Sequence, residues 1–267
     1  MLALAAALLL TSGSPFNVNW ATDGLLTGAM ATVYFLGEQA VKPGIAGTRA
    51  CRIITEEICD RKQLLKIDQS VVDNHSRNWA VASDVFLYST FALTLGATAI
   101  DVANDSGDRI GSWGKDSIVL VETFFATQLT TNLFKYSMRR ARPSQYRAST
   151  DITIAEEQLS FPSGHTAGVA SAATAYTYAF VKRHPGNSAN YLVGSIGAVL
   201  TILTGYARAQ AGRHFYTDVI AGAALGVAIG YLVPSLHSVN GNPRSENATM
   251  TASERPRAPM LGWGTQF

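Results

Sequence analysis

Six apolar stretches separated by polar breaks constrain this chain more than any other feature: residues 22–41, 79–102, 117–136, 164–181, 191–207 and 215–236. None alternates apolar and polar residues strictly for long. Ala, Leu and Gly outnumber the β-branched and aromatic residues that mark strands in most of them, so each predicts a helix. The expected fold is all-α, a bundle of about six main helices. Each stretch approaches the roughly 20 residues needed to cross a bilayer, yet Glu38, Asp84 and Glu122 interrupt three of them with charge. Ionisable groups in such segments either face a bundle interior or mark a soluble fold. The sequence therefore predicts a bundle embedded in or associated with a membrane, with a soluble exported bundle as the alternative.

The segments around the bundle have a different character. Residues 1–10, MLALAAALLL, followed by small residues through Ser14, match the apolar region and cleavage zone of a signal peptide, without the positive residues that usually precede them. Export is the favoured reading; a start codon placed too late and the buried start of a first helix are the others. Residues 42–77 are charged and irregular and hold both cysteines, Cys51 and Cys59, close enough for a disulfide if the compartment is oxidising. Within them residues 64–72 form a short amphipathic piece that reads as a surface helix. Residues 101–115, rich in Gly, Asp and Ser, read as a connector, and the Pro, Ser, Asn and charge content after Leu236 cannot support a core. The expected organisation is a leader-like or first apolar segment at 1–14, a helical core at 15–236 and a disordered polar tail at 237–267.

Charge narrows the partners. A net charge of +2 over 267 residues does not suggest nucleic acid, whose binders line one face with Lys and Arg. The conspicuous cations, Lys135, Arg139, Arg140 and Arg142, sit instead in one short stretch beside apolar sequence, a pattern suited to a small anion. The cysteine pair has no His or further Cys nearby to complete a zinc site, and neither a metal nor another cofactor is expected. His75, His184 and His237 sit in polar segments and read as solvated.

Three separated pieces carry chemistry-bearing residues at helix boundaries: Lys135, Arg142 and Pro143 in KYSMRRARP; Pro162, Ser163, Gly164 and His165 as PSGH; and Arg208, His214 and Asp218 in ARAQAGRHFYTD. Singly each is weak, since a Lys and an Arg seven apart are usually a solvated face and PSG is usually a turn before a helix. Together, in this order, they resemble the three-part signature of the type 2 phosphatidic acid phosphatase superfamily, which also holds bacterial acid phosphatases and vanadium haloperoxidases. The first two pieces match in full. The third keeps Arg208, His214 and Asp218 but has Ala207 where the family usually has Ser, which removes one expected hydroxyl donor.

The resemblance implies a metal-independent phosphatase acting on phosphate or pyrophosphate monoesters through a phosphohistidine. His214 is the implied nucleophile, Asp218 the carboxylate that holds its ring, and His165 the acid that protonates the leaving oxygen and later activates water. The chemistry agrees. Phosphoryl transfer needs positive groups and fixed amide donors more than covalent machinery, and Lys135, Arg142 and Arg208 offer three cations. Ser163 and Gly164 would present a hydroxyl and backbone N–H groups where a helix N-terminus favours an anion. His214 and Asp218, four apart, would share one face of a helix. Arg139, Arg140 and Arg213 could add field at the pocket or lie on the surface.

If all six helices span, the three motif segments share one end of the bundle and Lys182, Arg183 and His184 lie at the other. The positive-inside rule then places the protein in a membrane of a bacterial-type cell envelope with its active site facing outside and its N-terminus in the cytoplasm, whereas a cleaved signal peptide would reverse this unless the first helix does not span. The expected substrate is a phosphorylated lipid, such as phosphatidic acid, phosphatidylglycerol phosphate or an isoprenyl pyrophosphate, or a small phosphate ester. The alternatives are a soluble periplasmic or secreted acid phosphatase of broad range and, third, a vanadate-dependent haloperoxidase.

Overall fold

Polar side chains set where the helices begin. In the computed structural model, which describes residues 13–45, 59–103, 107–147 and 155–239, Asn19 caps α1 (Trp20–Leu36) by accepting from the N–H groups of Ala21 and Thr22. Ser76 caps α2 (Arg77–Val102) and Asp108 caps α3 (Arg109–Met138) in the same way. Ser163 caps α4 (Gly164–Arg183), α5 spans Ala189–Gln210, and Phe215 precedes α6 (Tyr216–His237), whose Asp218 reaches back to the Phe215 N–H. The described residues contain no strand, only an isolated bridge between Phe16 and Ser238. The six expected helices are all present.

Several boundaries differ from expectation. The supposed connector at 101–115 is mostly helix, because Asp108 starts α3 at Arg109. Its glycines and serine look like loop residues in sequence, but Ser112 is buried and a Cβ on Gly114 would press on the Trp20 ring. The amphipathic piece at 64–72 holds a helix of a single turn, Lys66–Gln69, shorter than expected, with Lys66 and Ile67 exposed and Asp68 buried. Val71 and Val72 beyond it are fully buried against Ala209 and Phe215. The last helix runs through His237, one residue into the expected tail, and residues 240–267 lie outside the described residues. So do residues 1–12 and Cys51, whereas Cys59 is disulfide-bonded.

Side-chain distribution decides the solvent. Large apolar side chains point outward along α1 (Leu25, Leu26), α2 (Val85, Tyr88), α5 (Leu192, Ile202) and α6 (Ile220, Leu236), all about half exposed or more. The interior is small and polar instead, with Thr90, Thr94, Thr98, Thr123, Thr127 and Thr131 buried. Five of these six threonines return their hydroxyl to a carbonyl three or four residues back, so those five hydroxyls need no water; the Thr90 hydroxyl has no partner. Water would not tolerate such an apolar surface, and lipid requires it. Among the described residues three helices, α2, α5 and α6, are long and apolar enough to cross a bilayer by length and composition. The molecule is a membrane protein.

Close packing of α6 on α4 positions the motifs. Gly222, Gly226 and Gly230 form a stripe at four-residue spacing, and a Cβ on Gly222 would lie 2.5 Å from the Ser163 carbonyl. One on Gly230 would lie 2.7 Å from that of Ser171. The stripe lets the two backbones touch, as small residues do between membrane helices. It also fixes the start of α6 beside the start of α4, with the Ser163 N–H bonded to the Asp218 carbonyl at 3.0 Å.

Candidate active site

The C-terminal ends of α3 and α5 and the N-terminal ends of α4 and α6 meet at one end of the bundle and bring the three motif segments together. Arg139 ends α3 in the left-handed conformation, φ 47°, with its N–H on the Lys135 carbonyl. That reversal sends Arg140 and Arg142 back over the bundle. Gly212, at φ +66°, turns the chain after α5 and leaves no room for a side chain against the Asn74 carbonyl. His214 follows two residues later, before α6 begins, so it lies on a loop and does not share a helix face with Asp218.

His214 is 1 % exposed, and its Nδ1 lies 2.7 Å from the Ser160 carbonyl. A carbonyl only accepts, so Nδ1 carries the proton and Nε2 presents a lone pair. Burial, then the charges of Arg142, Arg208 and Lys135, push the imidazole well below its ordinary pKa, which keeps the ring neutral. The expectation that Asp218 holds the ring is corrected in detail: its Oδ2 is 3.8 Å from Nδ1, beyond hydrogen-bond range. The carboxylate instead accepts from Ser160 Oγ at 2.6 Å, the Phe215 N–H at 2.9 Å and Arg140 at 2.5 Å. Asp218 thus fixes Ser160, whose carbonyl fixes His214.

Arg140 is the clasp of this arrangement. One side of its guanidinium bonds Asp218 and Thr217, the other bonds Asp68 at 2.9 Å, and its plane lies over the Phe215 ring. Asp68 is fully buried and also accepts from the N–H and hydroxyl of Thr217. The sequence left Arg140 between field and surface; it is an ion-paired support. Arg213 stays half exposed beside Glu157.

The cations line up as the motifs imply. Arg142 is enclosed, with bonds to the Glu156 carbonyl and carboxylate and to the Arg213 carbonyl. Arg208 is buried, touches Ser83 Oγ at 3.2 Å and keeps an unpartnered Nε. Lys135 Nζ would lie 3.3 Å from a Cβ on Gly164, so the glycine keeps the ammonium against the start of α4. Ser163 is fully buried, and its hydroxyl pairs with Thr166 as part of the cap. Its N-terminal amides remain the anion-favouring feature.

Two residues escaped the sequence reading. Asp84, seen only as a charge in an apolar stretch, lies 2.7 Å from His165 Nε2 and 3.8 Å from Arg208. Glu156 bridges Arg142 and Lys42; burial raises its pKa, but Arg142, Lys135 and Lys42 outweigh that and hold it well below the usual carboxylate range. Neither has a motif spacing that would announce it. The solvated reading of the remaining histidines holds for His75 but not for His184, which is buried beneath Phe180, nor for His237, which is partly buried among carboxylates.

Residues 117–241 match the PAP2 superfamily. The match begins in α3 and ends just past α6, and it takes in all three motif segments. The chain is similar to phosphatidylglycerophosphatase B of Bacillus subtilis, 31 % identical over 119 residues, which are 44 % of this chain and 56 % of that protein. It is also similar to lipid A 1-phosphatase of Porphyromonas gingivalis, 37 % identical over 128 residues, 46 % of this chain and 24 % of that protein. The chain thus spans between a quarter and somewhat over half the length of these relatives. Among solved structures it is similar to a transmembrane PAP2 type phosphatidylglycerolphosphate phosphatase from Bacillus subtilis, at TM-score 0.47 and 20 % identity, covering 81 % of this chain and 92 % of that one.

Proposed function

We propose that this PAP2 protein hydrolyses phosphate monoesters of lipids without a metal, through a phosphohistidine on His214. The observation that carries the proposal is the state of that residue: a buried neutral imidazole, its Nδ1–H held by the Ser160 carbonyl, with no partner on Nε2 among the described residues and with Lys135, Arg142 and Arg208 around it. Nε2 attacks phosphorus, the N–P bond forms, and the ester P–O bond breaks. His165, oriented by Asp84, gives a proton to the departing oxygen. Water then attacks the phosphohistidine, His165 takes the water's proton, the N–P bond breaks and inorganic phosphate leaves. The cations and the amides at the start of α4 hold the phosphoryl oxygens throughout.

A lipid substrate is favoured by the apolar surface around this end of the bundle and by the names of the relatives, two of which denote phosphatases of lipids. The same surface counts against a soluble exported phosphatase. The test is inorganic phosphate release from lipid and water-soluble phosphates in detergent with chelator present. Turnover of lipid phosphates is expected, with none for His214→Ala. The His165→Ala protein should retain its first turnover on a nitrophenyl ester, whose leaving group needs no acid, and accumulate acid-labile phosphoenzyme because water is no longer activated. Full activity in His214→Ala, or turnover stopped by chelator and restored by magnesium, overturns the proposal.

A further inference from the structure

Far from the phosphate pocket, Asp23, Glu122 and His237 bring one ligand atom each to a common point, all within 4.8 Å of one another. They come from the first turn of α1, the middle of α3 and the last turn of α6. The site lies at the other end of α6 from Asp218, about 28 Å away at the helical rise of about 1.5 Å per residue. The three are far apart in sequence, so no spacing pattern reveals them.

The local chemistry suits a cation. Glu122 is 5 % exposed and its Oε2 has no hydrogen-bond partner, although a buried carboxylate oxygen needs one. His237 Nδ1 lies 2.9 Å from the Val233 carbonyl, so Nδ1 carries the proton and Nε2 is left facing the carboxylates. Those oxygens stand 3.5 Å (Glu122) and 3.8 Å (Asp23) from Nε2, too far for good hydrogen bonds. A tetrahedral ion with bonds of about 2.0–2.2 Å holds its ligand atoms about 3.3–3.6 Å apart. The spacing is therefore close to that of a ligand set around an ion.

The outer partners agree. A metal-bound histidine ordinarily gives its second nitrogen to a carbonyl or carboxylate, as His237 does to Val233. Asp23 Oδ2 is steadied at 2.8 Å by the Asn19 N–H. Asp23 and His237 retain 17 % and 13 % side-chain exposure, enough for an ion to enter and for water to complete its shell. One imidazole with two carboxylates suits zinc or a neighbouring first-row divalent ion better than magnesium, which prefers oxygen alone.

We propose that Asp23, Glu122 and His237 form a structural binding site for a divalent transition ion, zinc being the best match, which pins α1 to α3 and α6. Its effect is on stability, since no catalytic side chain belongs to it. The test uses the full chain in detergent, stripped with chelator and titrated with zinc alone, with magnesium as control. One zinc per chain by elemental analysis and a rise in Tm are expected with zinc and not with magnesium. Glu122→Gln, which keeps the side-chain shape, and His237→Asn should each lose both the bound zinc and the Tm response while remaining folded in chelator. Absence of stoichiometric zinc in wild type, or equal zinc and Tm response in the two variants, overturns the proposal.

Discussion

At the scale of single residues, the protonation of His214 has a measurable sign. Its pKa in the folded protein is lowered by burial and by Arg142, Arg208 and Lys135, so the unfolded chain, with an ordinary value near 6.5, binds the proton more readily. Stability is therefore expected to fall as pH drops below about 6.5 and to be regained on raising it. Thermal unfolding between pH 5 and 8 should show this slope in wild type and a shallower one in His214→Asn. For the same reason the nucleophile stays neutral to lower pH than an ordinary histidine, so the phosphoenzyme burst should persist below about pH 6.5; a burst that titrates away near that pH contradicts the assignment. The motifs made His214 legible as a candidate, but not its holder. A residue four places from a histidine looks like a helix-face partner, whereas Gly212 and the cap at Phe215 put the ring off the helix and give the Nδ1 proton to a backbone carbonyl. Backbone partners have no sequence signature.

At the scale of elements, the α4–α6 contact joins fold to site. The stripe Gly222, Gly226 and Gly230 lies in plain view in the sequence, but an apolar stretch rich in Gly and Ala reads only as a helix until its neighbour is known. Gly226 faces the Ala167 carbonyl and the Ala170 side chain with no room for a Cβ. Gly226→Val is expected to cost about 1–3 kcal/mol by overpacking and, by pushing the start of α6 from Ser163, to lower kcat by at least about tenfold without removing a catalytic group. Gly28→Ala on α1, where nothing lies within 4 Å of the added methyl, should leave kcat unchanged and stability equal or higher by up to about 1 kcal/mol; Tm and phosphate release on the two variants decide it. The boundary error at α3 has a similar cause. Gly111, Ser112 and Gly114 suggest a loop when local preference alone is weighed, and tertiary packing against Trp20 overrides it.

At the scale of the whole molecule, the alternation of helices puts the phosphate pocket at one end and Phe16, the connection from α4 to α5 and the end of α6 at the other. The sequence gauge of orientation weakens on inspection: Arg183 is buried in a pair with Asp116 at 2.5 Å, which leaves Lys182 as the exposed charge of its segment. A second gauge is independent of charge. Cys59 is disulfide-bonded and leads directly into Asp60–Val72, which packs beneath Phe215 at the pocket end, and disulfides persist on the oxidising side of a membrane. Both favour a pocket facing outside, with the start of α1 on the cytoplasmic side. Ser70 and Ser188 are exposed at opposite ends, and cysteine is a close substitute for serine in size. In whole cells a membrane-impermeant maleimide should label Ser70→Cys, while Ser188→Cys should react only after the membrane is opened. The reverse pattern would place phosphate release in the cytoplasm, and labelling of both in whole cells would mean that the bundle does not span.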